Sequence, residues 1–519
     1  MLLATSVLAL LPLGATAFAR GDNVVLGAAA AAAAGPAPPP GEECARFGVP
    51  AKKICAKSLL FNSTLDHFDP TSSATWAHRY LFRDDEWGKG SAGTNPLPNG
   101  CPGPILLYTG NEGPITAFWG SNGFMVDYLA PKWGAMLLFP EERYYGSSLP
   151  FGDKTFEAEN LKYLTTEQIL EDYVELVDHL KATIPKAANC PVLAFGGSYG
   201  GTLTTFLRAK YPATVIGGLA ASAPIGYYDK EAWVAHGVDE FTWSDIVTNT
   251  YATAFPGGRC LTQIVAAMKT VEQTPTAELV KAFGVCEAAG LGPEKTSLFA
   301  YALEGLPQQD YPYAIGALPA WPVNHTCKEL VAAGSSAPKL LAAAVGITQK
   351  VVGNGQAVGP CIPTQPEGPG EVPGDGPGDD SAWGWQSCTE NLHQFSARGP
   401  VRSYTFDLEK SAKKPCGKVF NDTAVLDPMA LTHRYGGFQL ADGNGVGVNH
   451  LIWSNGLLDP WHGGGFLTPG NASSGNHWLM MEHGAHHLDL RGPHPCANSA
   501  LRSLSFPSHS TVFTVFVLA

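Results

Sequence analysis

The chain has 519 residues, with 33 Lys and Arg against 46 Asp and Glu, a formal net charge of -13 and an apolar fraction of 45%. That length can bury a large core or two, and the apolar share is that of a globular chain rather than a disordered or membrane-embedded one. The acidic balance argues against nucleic acid as a partner, since phosphate binding rests on basic surface.

Met1 to Ala19 is rich in Leu and Ala and ends on Ala17-Phe18-Ala19. This reads as a secretory signal peptide with an A-x-A cleavage site, although its start carries no positive charge. Residues 20–43, with the Ala/Pro tract from Ala28 to Pro40, read as a low-complexity spacer. No later segment is long and apolar enough to span a bilayer. Eleven cysteines show no C-x-x-C pair and no zinc spacing, so behind a signal peptide they read as disulfides with one left over. Sequons at Asn62, Asn324, Asn421 and Asn471 are candidate glycosylation sites and fit the same route. The destination is the secretory pathway, and from there a lysosome, a vacuole or the exterior.

From residue 44 to residue 227 strands and helices alternate. Ile105-Leu106-Leu107-Tyr108 and Ala135 to Phe139 are strand candidates. Ile169, Tyr173, Leu176 and Leu180 repeat at helical spacing, and Thr165 with Gln168 reads as a capping box at the start of that helix. Pro191 to Phe195 is a further strand, followed by Gly196-Gly197-Ser198-Tyr199-Gly200-Gly201 and a helical run to Lys210. A G-x-S-x-G turn between strand and helix is a nucleophile elbow, whose glycines allow backbone to pass where a Cβ would not fit. Those letters also occur in turns with no chemistry. Val215 to Ala221 is the next strand, and the alternation predicts a mostly parallel sheet covered on both faces.

Between residues 228 and 449 the pattern changes. Helical stretches such as Ala277 to Phe283 and Glu329 to Ala333 replace strands, and six cysteines fall here. The span reads as an inserted, mainly helical lid containing disulfides, with residues 363–380, rich in Pro, Gly and Asp, as a disordered loop within it. Residues 450–519 return to the core. His450 to Trp453 is a strand that breaks into a turn carrying Asp459, and His477 to Met481 is a strand followed by Glu482-His483-Gly484-Ala485-His486-His487. Ser, then Asp, then His, each on the loop after a different strand, is the chain order of α/β-hydrolases. A serine hydroxyl needs an imidazole to take its proton, and the imidazole needs a carboxylate to fix its tautomer. The residues alone leave His486 and His487 about equal; His462 and His483 read as structural or exposed.

Blocks spread over the chain carry a resemblance. They are Leu65-Asp66-His67-Phe68-Asp69 with His78-Arg79-Tyr80; Tyr108-Thr109-Gly110-Asn111-Glu112-Gly113; Glu142-Arg143-Tyr144-Tyr145-Gly146 into Ser148 to Gly152; Gly196 to Gly201; Trp385 to Glu390; Ser454 to Trp461; and Gly484 to Arg491. The chain resembles the prolyl-specific serine peptidases, the family of lysosomal Pro-Xaa carboxypeptidase, dipeptidyl peptidase II and thymus-specific serine protease. The resemblance implies an α/β-hydrolase core, a helical lid before the acid-bearing strand, cleavage after proline, and His486 as the base. Pro114 stands where the family usually has Asp, and Glu142 where it has His. A closing helix is not recognisable in residues 492–519.

The expected roles are Ser198 as nucleophile, His486 as base and acid, and Asp459 as its orienting carboxylate. The amide of Tyr199 and a donor from Gly110-Asn111 would stabilise the oxyanion. Trp461 would line the proline subsite with a flat aromatic face. Glu112 or Glu390 would either bind a substrate amine or serve as structural hydrogen-bond partners. No metal or cofactor is expected. The expected partners are peptides with proline near a terminus, and a homodimer stays open. The alternatives are a dipeptidyl peptidase, the carboxypeptidases whose elbow reads G-E-S-Y-A-G, and an inactive hydrolase-fold binding protein. Gly197 and the Leu-Asp-Pro-Trp block argue against the second, the intact Ser, Asp and His against the third.

Overall fold

A computed structural model describes residues 56–491 apart from 92–95, 98, 293, 353–360, 362–378, 443–447 and 469–473. The signal peptide, the spacer, Cys44, Cys55, Asn471, Cys496 and nearly all of the 363–380 loop therefore lie outside the described residues, as does the chain after Arg491.

In chain order the elements that build the site are β1 (Lys57–Thr64), β2 (Thr75–Arg83), β3 (Ile105–Tyr108), α1 (Ile115–Ser121), β4 (Met136–Pro140), α2 (Thr166–Thr183), β5 (Val192–Gly197), α3 (Tyr199–Lys210) and β6 (Gly217–Ala221). After β6 come α4 (Thr242–Thr253), α5 (Arg259–Gln273), α6 (Thr276–Phe283), α7 (Ser297–Gly305), α8 (Pro322–Ala333), α9 (Ala337–Val352) and α10 (Asp379–Thr389), and then β7 (Leu451–Gly456) and β8 (His477–Met481). The strands form one eight-stranded sheet in the order β1-β2-β4-β3-β5-β6-β7-β8. β2 runs antiparallel to β1 and β4, and every other pairing is parallel. This is an α/β-hydrolase sheet.

The central strands read as continuous apolar runs because both their faces are covered. Ile105 and Leu107 of β3, Leu138 of β4 and Ala194 of β5 face one apolar cluster, which includes Tyr173 and Leu176 of α2 and Phe206 of α3. Leu106 and Tyr108, Leu137 and Phe139, and Leu193 and Phe195 face a second, built with Phe124, Met125 and Trp133. One-residue alternation along each strand thus divides the core between two layers.

Among the described residues, the insertion between β6 and β7 contributes no strand to the sheet. Its α5 packs on α8 and α9, and α7 on α9. All six of its cysteines pair internally, as Cys260–Cys327, Cys286–Cys361 and Cys388–Cys416. Cys101–Cys190 lies in the core and ties together the entries to β3 and β5.

Several local readings need adjusting. The helix after the elbow starts at Tyr199, directly behind the serine, rather than at Thr202. Asp379 and Asp380, read as the end of the polar loop, open α10. The capping box at α2 is half formed: the Thr165 hydroxyl accepts from the Gln168 amide at 3.4 Å. The Gln168 side chain reaches across instead, accepting from the His67 amide and donating to Asp66.

Candidate active site

Ser198 sits between β5 and α3 with φ 59 and ψ -128, a conformation a side-chain-bearing residue adopts only under constraint. Its amide donates to the Ala221 carbonyl at 2.9 Å, which fixes the turn against the end of β6. The surrounding glycines are required sterically. A Cβ on Gly200 would overlap the Gly110 carbonyl oxygen, and one on Gly197 would lie 2.8 Å from the His487 ring. The elbow is thus wedged between the β3 turn on one side and the histidine loop on the other. Ser198 itself keeps partial solvent exposure.

Asp459 follows β7 and His486 follows β8, so both stand at the same edge of the sheet as Ser198. Asp459 is fully buried and His486 is 1% exposed, and His486 Nδ1 lies 2.6 Å from Asp459 Oδ2. The other carboxylate oxygen of Asp459 accepts from the Trp461 amide at 3.1 Å, so the short helical turn after β7 holds the acid in place. His487 points elsewhere: its amide donates to the Ser222 hydroxyl at 2.8 Å, and its ring covers Gly197. His462 bonds through Nδ1 to the Asp459 carbonyl at 2.6 Å, and His483 is exposed.

The Gly110-Asn111 turn closes the other side. Gly110 has φ 69, and the Tyr173 hydroxyl, which donates to the Thr109 carbonyl at 2.8 Å, fills the space a side chain would need. Asn111 Nδ2 donates to the Gly197 carbonyl at 3.1 Å and to Glu112 Oε2 at 3.0 Å, and its Oδ1 accepts from the Tyr108 hydroxyl. The turn is therefore bonded directly to the residue before Ser198.

The two acids read as amine ligands or structural hydrogen-bond partners occupy different settings. Glu112 is 9% exposed and lies one bond from Asn111. Glu390 accepts from the Thr166 amide at 2.7 Å and hydroxyl at 2.6 Å through one oxygen, and from Arg434 at 2.8 Å through the other. Burial pushes its carboxyl up to about 7. Glu142, standing where a histidine was expected, is 1% exposed. Burial, and then the nearby Glu112, push its carboxyl well above the usual carboxylate range. Gln386 of α10 donates to Glu142 at 3.3 Å and to the Tyr199 hydroxyl at 2.8 Å, and accepts from the Tyr145 hydroxyl.

Trp461 is 8% exposed and belongs to an aromatic cluster with Tyr227, Trp243, His393 and Phe395, at ring separations from 4.9 to 6.3 Å. Burial holds the His393 imidazole down at about 3, so it is a neutral ring in this cluster. Three of these residues come from the insertion and were not anticipated, because only the fold brings them to Trp461. The same holds for Gln308, which accepts from the Trp461 indole at 3.2 Å.

One group elsewhere, His67, Asp172 and Glu175, brings three potential metal ligands within 4.8 Å. Arg143 already bonds both oxygens of Asp172 at 2.7 Å, and a cation there would meet that guanidinium. Of the sequons, Asn62 and Asn421 are exposed and Asn324 is half-buried on α8.

Residues 63–504 match the family described as Serine carboxypeptidase S28. The chain belongs to the S28 family. It is 35% identical over 451 residues to "Lysosomal Pro-X carboxypeptidase" of Mus musculus, covering 83% of this chain and 84% of that one. The Homo sapiens protein of the same name is 35% identical over 449 residues, 83% of each. "Thymus-specific serine protease" of Homo sapiens is 27% identical over 465 residues, 84% of this chain and 82% of that one. As an S28 member the chain is a serine-type peptidase acting on peptides, and no helix among the described residues is long and apolar enough to cross a membrane. Its Lysosomal Pro-X relatives suggest a lysosomal or secretory location.

Proposed function

We propose that this chain is an exopeptidase that cleaves peptides after a proline near a terminus, releasing the C-terminal residue. Ser198 Oγ attacks the proline carbonyl, and His486 takes the hydroxyl proton and delivers it to the leaving amine. Water then attacks the acyl-enzyme with His486 again as base, returning the serine and freeing the proline carboxylate. Asp459 holds the imidazole tautomer and offsets its positive charge. The Tyr199 amide and the Gly110-Asn111 turn stabilise the oxyanion. The observations that support this reading most are the buried 2.6 Å contact of His486 with Asp459 and an elbow serine at positive φ, each on a loop after a parallel strand of one sheet. Trp461 and its aromatic neighbours form an apolar wall suited to a pyrrolidine ring. The relatives named Pro-X carboxypeptidase favour the same bond and the same end of the peptide.

A second reading, release of an N-terminal dipeptide, is favoured by Glu112, a carboxylate one hydrogen bond from the Asn111 amide that holds the elbow. Such a group attracts an ammonium and repels a terminal carboxylate. Glu390, with both oxygens engaged, is assigned a structural part. The test is incubation of the purified protein with Ala-Pro-Phe and Lys-Ala-reporter peptides across a pH series, with products identified by mass spectrometry. Loss of Phe from the first supports the carboxypeptidase, and loss of Lys-Ala from the second the dipeptidase. Either activity should vanish in Ser198→Ala, and normal turnover by that variant overturns both.

A further inference from the structure

The histidine loop is held from outside the hydrolase core. The His486 amide donates to the Gln308 carbonyl at 3.0 Å, and the His486 carbonyl accepts from the Tyr311 hydroxyl at 2.8 Å. Both partners belong to the insertion, in the short segment after α7 that includes the single helical turn Pro307–Gln309. The Gln308 side chain, 1% exposed, also accepts from the Trp461 indole at 3.2 Å. One stretch of five residues therefore grips the main chain of the histidine on both sides and the ring proposed to receive proline.

The segment is itself anchored. Asp310 accepts from the Val323 amide at 3.0 Å at the start of α8, the Tyr311 carbonyl accepts from the Trp321 amide at 2.8 Å, and Arg491 donates to the Tyr311 hydroxyl at 3.1 Å. Tyr311 is 1% exposed and packs with Met481 at the end of β8 and Ala485 and Leu488 of the histidine loop in a small apolar cluster. The need for such support is local. Between β8 and the turn at Leu488–Leu490 the chain has no repetitive hydrogen bonding of its own, and His487 lies at φ 34. The Asp459 contact fixes one ring atom of His486, whereas the position of its Cα depends on the backbone partners. An imidazole that must serve both a serine proton and a leaving amine tolerates little displacement.

We propose that residues 307–311 of the insertion position the His486 imidazole and the Trp461 ring together, with Tyr311 and Gln308 as the positioning residues. This rests on the reading of His486 as general base. In this arrangement the insertion sets turnover as well as access. Tyr311→Phe removes one hydroxyl and leaves the ring packing; Gln308→Met removes the indole acceptor while keeping the backbone carbonyl and the side-chain length.

The experiment measures kcat and KM on whichever reporter peptide the parent cleaves, normalised to active sites titrated with a fluorophosphonate, beside Tm for each variant. Tyr311→Phe should lower kcat by about 10- to 100-fold with KM within about twofold. Gln308→Met should raise KM about tenfold with a smaller change in kcat. Unchanged kcat in Tyr311→Phe together with unchanged KM in Gln308→Met overturns the proposal, as does a fall confined to Tm. His486→Ala separates the two readings. If that variant keeps full turnover, the general-base assignment fails; if it is inactive while both positioning variants behave as the parent, the positioning proposal alone fails.

Discussion

At the scale of single residues, the elbow is where backbone geometry and chemistry meet. Ser198 holds a positive φ because the chain must leave β5 and enter α3 without an intervening loop, and the glycines around it are closed in by Gly110, Asn111 and His487. At Gly200 the obstructing atom is a backbone carbonyl, which cannot rotate away. Gly200→Ala should therefore destabilise the protein by about 1–3 kcal/mol, the cost of overpacking a tight site. It should also slow fluorophosphonate labelling of Ser198, because the Gly110-Asn111 turn has to retreat. A labelling rate equal to the parent's would show that the turn does not press on the elbow.

At the scale of elements, the core and the insertion meet through caps as well as apolar faces. The N-terminus of α2 has its Thr166 amide satisfied by Glu390, just past the end of α10, rather than by a neighbour in sequence. Glu390→Ala should cost about 1–3 kcal/mol, since it leaves the buried Thr166 amide and hydroxyl without their acceptor, while exposed Arg434 keeps Glu167. Glu390→Gln keeps an acceptor and should cost less, and the two can be compared by urea denaturation.

Much of this architecture could be read from residue patterns. The runs around Leu106, Leu137 and Leu193 are apolar throughout because they lie at the centre of the sheet. The loops bearing Ser198, Asp459 and His486 follow strands whose hydropathy stands out from their surroundings. β1 and β2 escaped notice for a physical reason. β1 is an edge strand with Leu60 65% exposed, and β2 carries His78 and Arg79 into the interior, where they bond Glu141. Buried charge breaks the apolar run that identifies a strand. Gln308 left no sequence signal because its grip on His486 uses a backbone carbonyl, and Glu390 none as a cap because it lies 224 residues from Thr166.

At the scale of the whole molecule, the buried ionisable groups set a pH profile for stability. Asp310 and Glu390 are each pushed up to about 7 by burial, from 3.8 and 4.5, and burial also pushes the Glu142 carboxyl well above the usual carboxylate range. The folded state therefore binds more protons than the unfolded one above pH 4.5, and these groups reduce stability as pH rises to 7 and beyond. His393, held near 3 instead of 6.5, acts oppositely, adding stability as pH rises from 3 to 6.5 and nothing above that. Past pH 6.5 only the acids still act. At Asp172 burial is outweighed by Arg143, its carboxyl is held low, and its contribution is lost as pH falls below 3.8. Tm should thus be highest in mildly acid solution and fall between pH 6.5 and 8, by less in Glu390→Gln. Scanning calorimetry across that range tests this, and a Tm that rises toward pH 8 would contradict it.

The four described crosslinks also divide the chain unevenly. Three close within the insertion and one within the sheet domain, so among the described residues no covalent bridge joins the two parts. Oxidation ties the insertion to itself, and among the described residues the insertion meets the sheet domain through non-covalent contacts. A thiol reductant would meet Cys286–Cys361 first, because Cys286 is exposed, whereas Cys101 and Cys190 are each 1% exposed and keep the sheet stapled.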